Sequence, residues 1–127
     1  MALSAGSCRA SVLVVDDARD AADSTAEVLT LHGFRVRVAR GGAEALLAVA
    51  ADPPDVLLVE LLLPQPDGCE VARRLRDGGR VPLLVALTVC GTEWDHRRAA
   101  EAGFDLLVAK PADPRALVAL LARLVPD

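Results

Sequence analysis

Five short apolar runs recur along this chain at similar intervals: SVLVV (11–15), FRVRVA (34–39), DVLLVE (55–60), VPLLVALTV (81–89) and DLLVA (105–109). Each has the length of a strand and is too short for an ordinary helix. The stretches between them carry apolar residues at helical spacing. Arg19 to Leu31 places Ala22, Ala26, Val28 and Leu29 on one side and stops at His32-Gly33. Ala43 to Ala51 stops at Pro53-Pro54. EVARRLR (70–76) sets Val71, Ala72 and Leu75 against three arginines before Gly78-Gly79. Glu93 to Ala102 is polar and ends at Gly103. Pro114 to Leu124 comes last, with Asp113 as its N-cap and Pro114 in its first turn. FRVRVA alternates, which predicts a strand with one wetter face. Strands and helices in this alternation predict an α/β fold with a parallel sheet covered on both faces.

Composition agrees with that class. The 127 residues are 53% hydrophobic and only 2% aromatic, so Val, Leu and Ala must fill the core. Such a chain can bury enough surface to escape disorder. The length predicts one domain, residues 11–127, behind a flexible segment, 1–10. A net charge of −4 with no block of one sign argues against a nucleic-acid partner. The Arg73-Arg74-Arg76 and Arg97-Arg98 clusters read as solvated helix faces. Cys8, Cys69 and Cys90 match neither a zinc spacing nor a disulfide framework, which suits a reducing, cytoplasmic setting. The opening MALSAGSCRA has no signal-peptide core, and no apolar run reaches the roughly 20 residues of a membrane span.

Ligands of parallel α/β sheets bind beyond the carboxyl ends of the strands. Here those ends carry Asp16-Asp17, Glu60, Thr88 and Lys110. Three gathered carboxylates call for a cation, and an all-oxygen set of this kind suits Mg2+. A hydroxyl and an ammonium beside them suit phosphate oxygens. Lys110 is the one lysine among 14 basic residues, which singles out a compact point charge at that place. Taken singly, each feature has a plainer reading. An Asp pair makes turns, Thr88 fits any strand, and Lys-Pro leads into a helix. Their placement at successive strand ends is the informative pattern. No phosphate-binding P-loop, dinucleotide fingerprint or nucleophile elbow is present, and no enzyme activity is expected. His32 and His96 fall on helices away from the strand ends, and Cys69 packs the start of the third helix.

With these residues in place, the chain resembles the response-regulator receiver domains of two-component signalling. The resemblance rests on VLVVDD (12–17), PDVLLVE (54–60), LPQPDG (63–68), EVARRLR (70–76), LT (87–88), EAGFD (101–105) and KP (110–111). It covers roughly Val12 to Val125 and is most similar to receivers attached to hybrid histidine kinases. It implies a flavodoxin-like (βα)5 three-layer sandwich with strand order 2-1-3-4-5. It implies weak Mg2+ binding at Asp16, Asp17, Glu60 and the Leu62 carbonyl. Thr88 and Lys110 would contact a phosphoryl group, and the Lys110-Pro111 bond would be cis. Partners would be a histidine kinase, a phosphotransfer protein or another signalling protein, met on the face of helix 4, strand 5 and helix 5, where Trp94 is a candidate anchor. A monomer or weak dimer is expected.

The family's phosphoacceptor is an aspartate, and this chain has Glu60 there. The extra methylene carries the carboxylate about 1.5 Å further. A misplacement of about 1 Å can cost on the order of 100-fold in rate. Phosphotransfer is therefore expected to be lost or severely weakened. Val89 stands where a small residue is usual, Leu107 where a rotating aromatic or His is usual, and Leu62 where the family is often small or polar. Two outcomes stay open at this stage. Glu60, with a charge of about −1 against roughly −2 for a phosphoryl group, imitates the modified state in part. Alternatively the site is retired and the fold acts as a binding surface. A small-molecule site at the strand ends is a third reading.

Overall fold

The computed structural model describes residues 10–78, 83–89, 91–110 and 113–125. The expected flexible segment (save Ala10), Cys8, Cys90, the strand residues 81–82 and the Lys110-Pro111 bond lie outside the described residues. In chain order the elements are β1 (Ser11–Val15), α1 (Arg19–Leu31), β2 (Arg35–Ala39), α2 (Gly42–Ala51), β3 (Val56–Glu60), α3 (Gly68–Asp77), β4 (Leu83–Thr88), α4 (Glu93–Ala102), β5 (Leu106–Ala109) and α5 (Pro114–Leu124). These differ from the sequence reading by a residue or two at several ends.

The five strands form one parallel sheet in the order β2-β1-β3-β4-β5. This is the flavodoxin-like α/β fold. Alternate strand residues face opposite sides, and the two cores sort accordingly. Leu13, Val15, Leu57, Val59, Leu84 and Ala86 pack under α2, α3 and α4. Val12, Val14, Val56, Leu58, Val85 and Leu87 pack under α1 and α5. Fully burying each Val or Leu stabilises by about 1.5–3 kcal/mol. The central strands β1 and β3 are buried along nearly their whole length, which is why they read as unbroken apolar runs.

β2 keeps its alternation, with Val36 and Val38 packed on the core, but its other face is drier than expected. It is an edge strand, and only Arg35 in it is exposed. Arg37 lies over the end of α2, where its guanidinium donates to the carbonyls of Ala48 and Asp52. Its stem thereby covers what an isolated strand would show to water.

The helix ends follow local chemistry. Asp67 caps α3 by accepting from Glu70 N at 2.9 Å, and Asp113 caps α5 by accepting from Arg115 N at 2.9 Å. Thr92 and Asp95 form a capping box on α4. Its sequence signal is the Thr-x-x-Asp spacing at the helix start. Gly103 ends α4 at φ 108°, a left-handed conformation that disfavours any other residue. The loop after β3 folds back tightly. A Cβ on Gly68 would stand 2.7 Å from the Glu60 carbonyl oxygen and 2.8 Å from Leu61 Cα. The cis peptide bond found among the described residues is Gln65-Pro66, in this same loop.

Candidate functional site

The face parity of the strands decides which chemical groups meet. Asp16 continues Val12 and Val14 past the end of β1, Glu60 continues Val56 and Leu58 in β3, and Lys110 continues Leu106 and Val108 past β5. All three therefore belong to the α1/α5 side. Thr88 continues Leu84 and Ala86 on the other side.

The Lys110 ammonium donates to Asp16 Oδ2 at 2.7 Å and to Glu60 Oε1 at 2.7 Å. It spans β4, which lies between β3 and β5, so one side chain ties together the ends of β1, β3 and β5. The second oxygen of each carboxylate is held by main chain. Ala18 N donates to Asp16 Oδ1 at 2.9 Å, and Leu62 N donates to Glu60 Oε2 at 3.0 Å. Asp16 is 3% exposed and Glu60 7% exposed, so these bonds compensate charges taken out of water. The backbone beneath is pinned as well: Leu61 N donates to Leu87 O at 2.9 Å and Lys110 N to Thr88 O at 2.6 Å.

Burial draws the Lys110 ammonium down, but the hydrogen bonds and charges of Asp16 and Glu60 outweigh it and hold its pKa above the ordinary lysine value. A raised folded pKa means that the stabilisation is complete below the unfolded value of about 10.4 and is lost as pH rises through the folded value. The stability difference between wild type and Lys110→Met is therefore expected to be constant from neutral pH to about pH 10 and to shrink above it. Urea denaturation of both proteins across that range checks this. Taking the difference cancels Cys69, whose buried thiol is pushed up mainly by desolvation.

The remaining candidates are placed as follows. Thr88 is buried at the end of β4. Asp17 is exposed. No three acidic, histidine or cysteine side chains among the described residues are grouped so as to hold a metal ion. Leu62 and Val89 are 58% and 60% exposed at the ends of neighbouring strands. Val89 and Lys110 border a mostly apolar recess of about 450 Å3 between α1 and α5. Leu107 is half-buried and packs on the α2–α3–α4 side. Beside it lies a shallow recess of about 250 Å3 between α4 and β5, lined in part by His96, Ala99 and Phe104. Trp94 projects from α4 and is 63% exposed. His32 and His96 are exposed, His96 on α4 and His32 just past the end of α1 as its C-cap, and Cys69 is buried in α3.

Sequence reasoning missed the two amide donors at Ala18 and Leu62. The first had a signal, since an aspartate in a turn commonly accepts from the backbone amide two residues on. The second had none, because it depends on how the loop after Glu60 turns.

An acidic pocket with a lysine at the carboxyl edge of a 2-1-3-4-5 sheet defines a class. A family model for the response regulator receiver domain matches residues 12–122, and the chain belongs to that family. It is 40% identical over 114 residues to the response regulator MprA of Mycobacterium tuberculosis, covering 89% of this chain and 48% of that protein. The MprA of Mycobacterium ulcerans is equally similar, with 47% of its length covered. The chain thus spans about half the length of the curated relatives it matches. A putative response regulator from Chloroflexus aurantiacus is 31% identical with a TM-score of 0.82, over 91% of this chain and 97% of that one. The chemotaxis protein CheY4 of Vibrio cholerae aligns with a TM-score of 0.87 over 93% of this chain and 100% of that one; at 24% identity it speaks for the fold alone.

Receiver domains are typically non-enzymatic signalling modules and generally bind Mg2+ at the phosphorylation site. The residues arranged here do not fit that ion. Mg2+ requires about six oxygens at about 2.0–2.1 Å in octahedral array. Between the two converging carboxylates stands an ammonium, and their other oxygens are engaged by amides.

Proposed function

We propose that this receiver domain does not run an aspartyl-phosphate cycle and signals by protein–protein contact. The observation that carries the reading is the state of Glu60, the residue at the acceptor position. Its carboxylate is ion-paired to Lys110 at one oxygen and hydrogen-bonded to Leu62 N at the other. In-line phosphoryl transfer depends on a free, positioned oxygen. A carboxylate carried about 1.5 Å too far and held at both oxygens supplies none.

Two forms of phospho-independent action remain. Glu60 does pair with Lys110, the side chain that would meet a phosphoryl group, so a partial imitation of the modified state has its first contact. The output side argues the other way. Leu107 has no ring to rotate, and the recess beside it is not filled by one. A retired site on a surviving binding surface is the better-supported form. The surface is the α4–β5–α5 face, with Trp94 as anchor, since an exposed Trp beside arginines is typical of interface centres. The partner is a histidine kinase, a phosphotransfer protein or another cytoplasmic signalling protein, and the sequence is most similar to receivers of hybrid kinases. The domain itself is a monomer or weak dimer. Any Mg2+ binding at Asp16, Asp17, Glu60 and the Leu62 carbonyl is weak. No helix among the described residues is long and apolar enough to cross a membrane.

Intact-mass measurement of the wild-type protein after incubation with a small phosphodonor and Mg2+ tests the reading. No added phosphoryl group is expected. A stable adduct mapped to residue 60 would return the protein to the standard phosphorylated receivers.

A further inference from the structure

We propose that Lys110 is a built-in cation for this site: its ammonium takes the place between Asp16 and Glu60 that a divalent metal ion would need, so the folded protein is indifferent to Mg2+. Three observations lead there. The ammonium contacts both carboxylates at 2.7 Å, so the point equidistant from them is already filled by positive charge. The opposite oxygens are taken by Ala18 N and Leu62 N, which leaves few open lone pairs directed at an incoming ion. The length of Glu60 completes the bridge: a carboxylate about 1.5 Å shorter would not reach the ammonium at hydrogen-bond distance without movement.

Displacing Lys110 is also unfavourable for a specific reason. Beside it lies the recess between α1 and α5, bordered by Leu87, Val89 and Leu117, where among the described residues the hydroxyls of Ser24 and Thr25 are the polar side-chain groups. Moving there would exchange two charge-assisted hydrogen bonds for at most neutral ones. Electrostatics point the same way. With the ammonium in place the inner cluster carries about one net negative charge; without it, two, and the attraction for a divalent ion rises accordingly. Asp17, which the sequence placed with the other carboxylates, is exposed. The proposal concerns the cation and does not rest on the loss of phosphotransfer, since its test contains no phosphodonor.

Thermal unfolding of the wild type, Lys110→Met and Glu60→Asp is followed with MgCl2 and with NaCl at equal ionic strength. The wild-type midpoint is expected to differ by less than about 1 °C between the two salts. Removing the ammonium frees both carboxylates, and shortening the arm at residue 60 opens the bridge on that side, so both variants are expected to gain about 3 °C or more in Mg2+. If Lys110→Met does not fold, Glu60→Asp gives the reading alone. A wild-type gain as large as the variants' would show that Lys110 does not occupy the metal's place. Folded variants that gain nothing would show that the two carboxylates are not a cation site at all. Either result overturns the proposal.

Discussion

Lys110→Met is expected to lower the unfolding free energy by about 3–5 kcal/mol, one of the largest losses available from a single residue outside the two cores. The reason is what stays behind. Asp16 and Glu60 are almost fully buried, and among the described residues the ammonium is the one cation bonded to both. Methionine fills a similar volume, so packing changes little, but two negative charges then face each other with, among the described residues, one amide bond each. Breaking a buried pair from one side is costly for this reason, whereas removing all its charges together is often close to neutral. The triple substitution Lys110→Met, Asp16→Asn, Glu60→Gln is accordingly expected to recover much of the loss. Urea denaturation with an unchanged m-value is the measurement. A loss below about 1 kcal/mol for Lys110→Met would mean that water screens the cluster as it does a surface ion pair.

Glu60→Asp is expected to restore transfer from a small phosphodonor in the presence of Mg2+, raising the rate by about 100-fold or more over the wild type. The shorter carboxylate retreats toward β3 and leaves room for a phosphoryl group, while Lys110 keeps its partner in Asp16. The rest of the pocket is in place: β1 and β3 hold their registers, Thr88 sits at the end of β4, and Gly68 allows the loop to fold close against residue 60. Intact mass gives the extent of modification and peptide mapping the position. If the variant remains unmodified, the obstruction extends beyond the nucleophile, and Val89 and Leu62, both exposed at the mouth, are the residues to shorten next. If the wild type and the variant are modified alike, the extra methylene is not the barrier.

The legibility of this protein in its sequence follows physical lines. Strands β1 and β3 were readable because a strand buried on both faces must be apolar at every position. Gly33, Gly103 and Asp113 marked helix ends through backbone chemistry that acts over a few residues. In the edge strand β2 the side chains alternate as expected, with Val36 and Val38 on the core, but the second face is drier than the pattern predicts. Arg37 covers it from a distance, and a side chain that bonds to carbonyls of the next helix leaves no trace in a local pattern.

The candidate site divides in the same way. Asp16, Asp17, Glu60, Thr88 and Lys110 could be named from the sequence, because a parallel sheet sends all its strand ends to one edge, and that much follows from alternation alone. Which of them would bond to which could not. Parity along each strand and the 2-1-3-4-5 order put Asp16, Glu60 and Lys110 on the α1/α5 side, where a lysine stem is long enough to span β4. The turn after β3 aimed Leu62 N at the free oxygen of Glu60. The sequence determined the fold class and the inventory of charges, since both depend on residue type and spacing along the chain. Only the tertiary structure decided that the lone lysine bridges two carboxylates, one 94 and the other 50 positions away, because a bond of 2.7 Å depends on the packing of every element between them.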